Sequence, residues 1–285
     1  MTRTGPEPLE ILHVLGIDET AIVMPVRGGF DMLMWKVEYE GQSYALRVFR
    51  PGRHEDCEHE RMVMSAAREA GLPVPEVRRV SVWQDHPVLL LTWQPGRTVA
   101  DELRARPWRM WQVGIAFGRM QAAIHAVPAP EPLRQQPDAW IAWKCEGEQL
   151  LHDRLRRLIA QDIALLHLDY HPHNVLTDGK QITGVVDWTH AHAGDPRADI
   201  ARTVSILRID PLARKPFIQW LALRVFERAW RAGYQRERGP LEDMPLFYAW
   251  AGNVLLQSLA DRYKHIPQKL APARRWTSKW LVRAK

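Results

Sequence analysis

The chain has 285 residues, 46% of them hydrophobic and 25% charged, which is the balance of a globular protein and excludes disorder of the whole. Its two cysteines, Cys57 and Cys145, are too few for a disulfide framework and point to a reducing compartment. The formal charge of +6 is uneven: residues 1–94 carry 10 Lys/Arg against 14 Asp/Glu, whereas residues 262–285 hold eight basic residues and no acid. Most of the excess is a tail, so no nucleic-acid partner is expected. There is no 18-residue apolar run and no apolar signal core near the start. The expectation is a cytoplasmic protein without a transmembrane segment.

In chain order, Ala21–Val26, Leu33–Tyr39 and Ser43–Phe49 read as strands, the first two flanking Arg27-Gly28-Gly29-Phe30-Asp31. Glu55–Ala70 has a helical pattern stopped by Gly71, with Pro73 and Pro75 beyond. Val77–Trp83 and Pro87–Trp93 read as two more strands, and Gln94-Pro95-Gly96 breaks the chain. Long helical patterns follow at Arg109–Ala126 and Gly147–Leu158, then short apolar runs at Ile163–Leu168, Val175–Thr177 and Ile182–Val186. Helices are predicted over Pro196–Leu207, Lys215–Tyr234 and Pro240–Lys264, with Asp195 as cap and Pro196 in the first turn. The pattern is a strand-rich front lobe over 1–94 and a helix-rich back lobe over 95–285.

The sharpest chemical signal is His167-Leu-Asp169-Tyr-His-Pro-His-Asn174, followed by Val185-Val-Asp187-Trp188. A carboxylate, an amide five residues on and a second carboxylate thirteen beyond it suit phosphoryl transfer, where positioning and charge neutralisation dominate. Asp169 can accept or orient the proton of an attacking hydroxyl. Asn174 and Asp187 are hard oxygen ligands suited to Mg²⁺, which takes few protein ligands. The Val175–Thr177 and Ile182–Val186 runs predict a short hairpin that carries Asn174 and Asp187 to one end. His167, His171, His173, His190 and His192 also admit a transition-metal reading as a bare pattern.

The segments His167–Asn174, Val186-Asp187-Trp188 and Gly194-Asp195-Pro196…Asp199-Ile200-Ala201 resemble the aminoglycoside phosphotransferase and choline kinase-like family of small-molecule kinases. The resemblance extends backwards through His125, Thr92-Trp93-Gln94-Pro95-Gly96, His59-Glu60-Arg61 and Ala45-Leu46-Arg47, and covers about residues 20 to 208. It implies an α+β, two-lobed protein-kinase-like fold: an N-terminal antiparallel sheet with one helix as nucleotide-binding lobe, and a mostly helical C-terminal lobe for catalysis and substrate. It also implies an ATP-dependent, Mg²⁺-assisted kinase that phosphorylates a hydroxyl of a small molecule. By the same resemblance Asp169 is the catalytic base, and Asn174 and Asp187 bind Mg²⁺. Arg47, paired with Glu60, contacts nucleotide phosphates beneath a loop containing Gly28 and Gly29. The backbone of Thr92, Trp93 and Gln94 bonds the adenine edge, while Val26, Ala45 and Leu176 sandwich its faces.

The sequence departs from the family where Arg47 replaces the usual Lys, a planar fork instead of a point charge. That departure motivates the alternative of a nucleotide-binding regulator without turnover. The back lobe offers no acidic run, so a polycationic aminoglycoside is not the favoured substrate. Trp108, Trp111, Trp140 and Trp143 admit two uses, as a substrate wall or as core. The basic end with Trp276 and Trp280 reads either as a terminal helix packing its indoles inward or as a polyanion-binding surface.

Overall fold

A computed structural model describes residues 6–26, 32–145, 147–159, 163–209, 217–260 and 262–284. The chain divides into two compact units, Met1–Pro95 and Gly96–Lys285. The loop expected to cover phosphates, with Gly28 and Gly29, lies outside the described residues.

The first unit contains helix α1 (Pro8–Val14), strands β1 (Ile22–Pro25), β2 (Leu33–Tyr39) and β3 (Gln42–Val48), helix α2 (His54–Glu69), and strands β4 (Val77–Trp83) and β5 (His86–Thr92). The strands form one antiparallel sheet in the order β1-β2-β3-β5-β4. Period-2 alternation gives each strand two faces. Val37, Leu46, Val48, Val88 and Leu90 turn to one face and pack with Ile11, Leu12 and Leu15 around α1. Ala45 and Arg47, two residues apart on β3, share the opposite face. Helix α2 buries Cys57, Glu60, Val63, Met64 and Ala67, a stripe at helical spacing that contains one carboxylate. Helix α1 is the element the strand-dominated reading of this region passed over, although Pro8 in its first turn is a legible start signal.

In the second unit, β6 (Arg97–Thr98) leads into α3 (Val99–Ala105), a 3₁₀ turn at Pro107–Arg109 and α4 (Met110–Ala126). Short helices α5 (Glu131–Arg134) and α6 (Ala139–Ala142) precede α7 (Gln149–Leu158). Strands β7 (Ala164–Leu166), β8 (Val175–Thr177), β9 (Ile182–Val185) and β10 (His192–Gly194) follow, and then helices α8 (Pro196–Ile209), α9 (Phe217–Arg238), α10 (Met244–Ala260) and α11 (Ala271–Arg283). Strands β6, β8 and β9 form one small antiparallel sheet, and β7 pairs with β10 in another. Gly96 enters β6 at φ +103°, and a Cβ there would stand 2.7 Å from the Thr177 carbonyl oxygen, so only glycine fits. Helix α10 is shorter than the Pro240–Lys264 expected, and the chain turns through 3₁₀ geometry at Pro267–Leu270 before α11.

Helices α4 and α9 pack with their backbones close together. A Cβ at Gly118 would lie 2.0 Å from the Trp230 carbonyl oxygen, and one at Gly233 2.3 Å from that of Ile115. Backbone cannot retreat as a side-chain tip can, so Gly118→Ala should destabilise by about 1–3 kcal/mol. Chemical denaturation checks this, and Ala122, on the same helix and already buried, shows that alanine itself is tolerated in α4. Trp140, Trp188, Trp230 and Trp250 are all fully buried, so the core reading holds for Trp140. Trp108 and Trp111 are exposed instead. Helix α11 turns Trp276 inward, where its indole donates to the Tyr248 carbonyl at 2.8 Å, and leaves Arg274, Arg275 and Lys279 in solvent. Among the described residues no helix is long and apolar enough to cross a membrane.

Candidate active site

The β8–β9 hairpin forms as its alternation predicts. Val175 pairs with Val185, and one step further the Val186 amide donates to the Asn174 carbonyl at 2.9 Å. This register puts Asn174 and Asp187 at the same end of the hairpin. The Asn174 side-chain amide donates to the Asp169 carboxylate at 2.9 Å and to the Asp169 carbonyl at 3.1 Å. Its Nδ2 is thus committed to Asp169, and Oδ1 is the atom with ligand capacity. The Thr189 hydroxyl donates to Asp187 Oδ1 at 2.9 Å. An amide oxygen beside a carboxylate matches the sparse hard-oxygen donor set Mg²⁺ prefers. Among the described residues no three or more His, Cys, Asp or Glu gather so as to hold a metal ion.

His167 joins the two carboxylate-bearing segments. Its Nδ1 accepts from the Asp169 amide at 3.3 Å, and its Nε2 lies 3.1 Å from the Val186 carbonyl, to which it must donate. Burial lowers its pKa against the pull of Asp199, Asp169 and Asp187, so the ring is the neutral Nε2–H tautomer these bonds require.

Two residues on this path hold the left-handed backbone that L side chains rarely adopt, Leu168 at φ +57° and Asp187 at φ +66°. Leu168 is gripped from both sides by α8. Its amide donates to Asp199 Oδ1 at 2.6 Å, and its carbonyl accepts from Arg202 Nε at 3.2 Å. Asp199, Arg202 and Thr203 lie at i, i+3 and i+4 and so share one helix face. Thr203 completes the clasp by donating to the Tyr170 carbonyl at 2.8 Å. Behind it, Asp199 Oδ2 accepts from Gln121 Nε2 at 3.0 Å and meets His125 Nε2 at 2.9 Å. Gln121 Oε1 in turn accepts from the Trp230 indole, and His125 Nδ1 meets the Tyr234 hydroxyl. Burial alone would raise the pKa of Asp199, but the bond and charge of His125 outweigh it and keep the carboxylate ionised.

Asp169 sits among basic side chains. Burial pushes its carboxyl up, yet the His171 charge and hydrogen bond, with His190 and Arg202 beyond, hold it well below the usual carboxylate range. The His171 Nε2 is 3.4 Å from Asp169 Oδ2. Burial opposes the imidazolium, but Asp169 and Asp187 raise the His171 pKa above its ordinary value. A raised folded pKa contributes stability that is present below the unfolded value near 6.5 and is lost as pH rises through the folded one. His171→Ala should therefore lower the melting temperature more at pH 6 than at pH 9. Thermal melts of both proteins across that range give the sign.

In the first unit, Arg47 and Glu60 form a buried ion pair, Nη1 to Oε1 at 2.8 Å. Glu60 is the partner because it lies on the buried stripe of α2, whereas Glu58 pairs with Arg61 in solvent. Ala45 is buried on the same sheet face, and Val26 follows β1 with its amide bonded to the Met34 carbonyl. Of the three residues expected to meet an adenine edge, two have engaged amides: Thr92 donates to the Glu76 carbonyl and Trp93 to that of Ser43. Those two N–H groups are engaged within the first unit. Leu176, on β8 in the second unit, is half-buried.

A strand-rich unit with a buried Arg–Glu pair, and a helical unit with a clasped Asp–Asn–Asp hairpin, define the protein-kinase-like class of phosphotransferase. Residues 22–240 match the Phosphotransferase enzyme family, and the chain belongs to it. Among solved structures it is similar to the aminoglycoside phosphotransferase APH(4)-Ia, at 19% identity and TM-score 0.66, covering 96% of this chain and 97% of that one. It is similar also to a putative fructosamine-3-kinase from Haemophilus somnus, at 14% identity and TM-score 0.64, covering 96% of each. The spectinomycin phosphotransferase APH(9)-Ia, solved with ADP and spectinomycin, follows at 13% identity and TM-score 0.59, covering 97% and 95%. No curated protein matches the sequence. At these identities the likeness is one of fold.

Several participants were not singled out in the sequence. Gln121 and Arg202 have spacing signals, four residues before His125 and three after Asp199 respectively. Trp143, one of the four tryptophans with two possible uses, is half-buried beside His190 and His192.

Proposed function

We propose that the chain transfers the γ-phosphoryl group of ATP to a hydroxyl of a small molecule. The observation that carries this reading is the Asp169–Asn174 bond at the end of the hairpin that also bears Asp187. The acceptor hydroxyl is presented to the Asp169 carboxylate. Its oxygen attacks the γ-phosphorus in line, the bond from the γ-phosphorus to the bridging oxygen breaks, and ADP leaves while Asp169 takes the hydroxyl proton. A carboxylate held this far below its usual pKa is a weak base, which suits a loose transition state where the proton moves late. Asn174 Oδ1 and Asp187 would hold Mg²⁺, which when bound neutralises charge on the phosphates. The same α8 clasp keeps Leu168, and with it Asp169, in place.

For the nucleotide, Arg47 supplies the phosphate contact and Glu60 fixes its fork. Ala45 and Val26 supply an apolar adenine wall. With the Thr92 and Trp93 amides engaged, the adenine-edge donor is the main-chain N–H of Gln94, joined by carbonyls of the same segment. Arg in place of Lys keeps the ion pair with Glu60, which favours turnover over a purely regulatory role.

The test is an Mg-ATP turnover screen across hydroxylated small molecules, read as phosphorylated product by mass spectrometry. Product that forms with the wild type and not with Asp169→Ala supports the reading. ATP binding without product across the whole panel would turn the assignment to the nucleotide-binding regulator.

A further inference from the structure

A second cluster of charge lies in the helical unit at the turn end of the β8–β9 hairpin, opposite the end that carries Asn174 and Asp187. An open hollow of about 650 Å³ is lined there by Gly96, Arg97, Asp101, Arg106, Thr177 and Asp178. Its lining holds charged and small polar groups and no aromatic ring. Beneath it Glu102 is buried, its side chain 1% exposed, and three guanidiniums gather on its carboxylate. Arg106 Nη1 donates to both oxygens at 3.1 Å, and Arg109 Nη1 donates to Oε1 at 3.3 Å. Arg97 Nε stands 3.6 Å from Oε2, too far for a hydrogen bond. The hairpin turn closes on this group through Gly179. A Cβ there would stand 2.6 Å from Glu102 Oε1 and nearer still to Arg109 Nη1.

One buried carboxylate offsets one guanidinium, and Arg106 and Arg109 already satisfy both Glu102 oxygens. Three cations around a single anion repel one another unless a further anion joins them. The two acids that line the hollow have cations of their own. Asp101 accepts from Arg104 Nη1 at 2.6 Å and from the Thr98 hydroxyl at 2.7 Å. Asp178 accepts from the Lys180 and Gln181 amides at 2.7 and 2.9 Å, with the Lys180 charge beside it. Positive charge is therefore in excess where Arg97 and Arg106 face the hollow. The Arg97 side chain is 49% exposed and makes no hydrogen bond among the described residues. Arg106 commits only Nη1 to Glu102, which leaves Nε and Nη2 as donors.

We propose that this hollow binds a phosphate dianion, free or as the monoester of a small molecule, at a site separate from the transfer centre. The phosphate oxygens face the forks of Arg97 and Arg106, and the dianion neutralises the charge that Glu102 leaves in excess. Glu102 is a positioning residue: from beneath, it holds Arg106 and Arg109 in place. A compact, doubly charged, tetrahedral group can meet two guanidinium forks at once. With no ring surface in the lining, recognition rests on the anion itself and not on an apolar body attached to it.

Calorimetry on the full-length protein tests this with inorganic phosphate, glucose 6-phosphate, glucose and malonate at constant ionic strength, each with and without saturating Mg-ADP. Phosphate and glucose 6-phosphate should bind saturably, malonate more weakly and glucose not at all. The first two arms tell free phosphate from the ester, and Mg-ADP should leave both unchanged. Arg97→Gln should weaken phosphate binding about tenfold, through loss of one charge-assisted contact. Because Arg97 makes no hydrogen bond in the fold, this variant should melt with the wild type. Lys279→Gln removes the same charge from the exposed face of α11 and should keep full affinity. No saturable phosphate binding, a preference for malonate, displacement by Mg-ADP, or full affinity in Arg97→Gln would overturn the proposal. Equal weakening in Lys279→Gln would also overturn it, by showing a response to net charge alone.

Discussion

Asp169→Asn should lower kcat by about 10²- to 10⁴-fold, the usual range for loss of a positioned proton acceptor, while KM for ATP changes little. The substitution is close to isosteric, and the new Oδ1 can still accept from Asn174 Nδ2. It cannot take a proton, and since one oxygen faces both Asn174 Nδ2 and the His171 ring, the amide nitrogen takes the place of the other. His171 would lose the charge that raises its pKa and so drop back toward neutrality. The variant separates chemistry from folding. Because Asp169 is ionised with a lowered folded pKa, its stabilising contribution is present above the unfolded value near 4 and lost only as pH falls through the lower folded value. At neutral pH the Asn variant should therefore melt somewhat below the wild type but remain folded, with normal nucleotide binding by calorimetry. Wild-type kcat in a folded Asn variant would move the proton acceptor to another group, and His171 would be the next to test.

The reach of the sequence differs between the parts of this site for physical reasons. Asp169, Asn174 and Asp187 are legible because their geometry is local: two short strands of alternating apolar residues bring them together with a separation of at most 18 positions. The choice of Glu60 over Glu55 and Glu58 is equally local, since it follows from the stripe of Cys57, Val63, Met64 and Ala67 on α2. Which amides of the Thr92–Gln94 segment are engaged is not legible. Whether the Thr92 and Trp93 amides are engaged depends on Glu76 and Ser43, which arrive from other strands in a register no local pattern specifies. The left-handed turn at Leu168 carries no glycine or asparagine to announce it. Its cause lies 31 residues further on, in Asp199. Trp143 reaches His190 and His192 where α6 packs against β10, a contact with no spacing signature.

Asp199→Ala should be the most damaging single change to the fold, with a loss of about 4 kcal/mol and a catalytic defect alongside it. The carboxylate is fully buried and serves three groups at once, the Leu168 amide and two side chains of α4. Removing it strands the Leu168 amide, one N–H of Gln121 Nε2 (the other still reaches Thr203 Oγ1) and the facing edge of His125, none of which water can reach without opening the core. Each buried group left without its partner costs about 1–3 kcal/mol, and the losses overlap because the network relaxes together. Gln121 cannot flip its amide to compensate, since its Oε1 already accepts from the Trp230 indole at 2.9 Å. Asp199→Asn should be milder. Its Oδ1 still accepts from the Leu168 amide, and His125 can adopt the tautomer that accepts at Nε2 and donates from Nδ1 to the Tyr234 hydroxyl. The remaining conflict is donor against donor at Gln121. Urea denaturation should thus rank wild type above Asn above Ala, with kcat falling in the same order as Leu168 loses its grip and Asp169 drifts. If the Ala variant unfolds at the wild-type midpoint, the left-handed turn at Leu168 is held by Arg202 and Thr203 without Asp199, and Arg202→Ala would then carry the larger penalty.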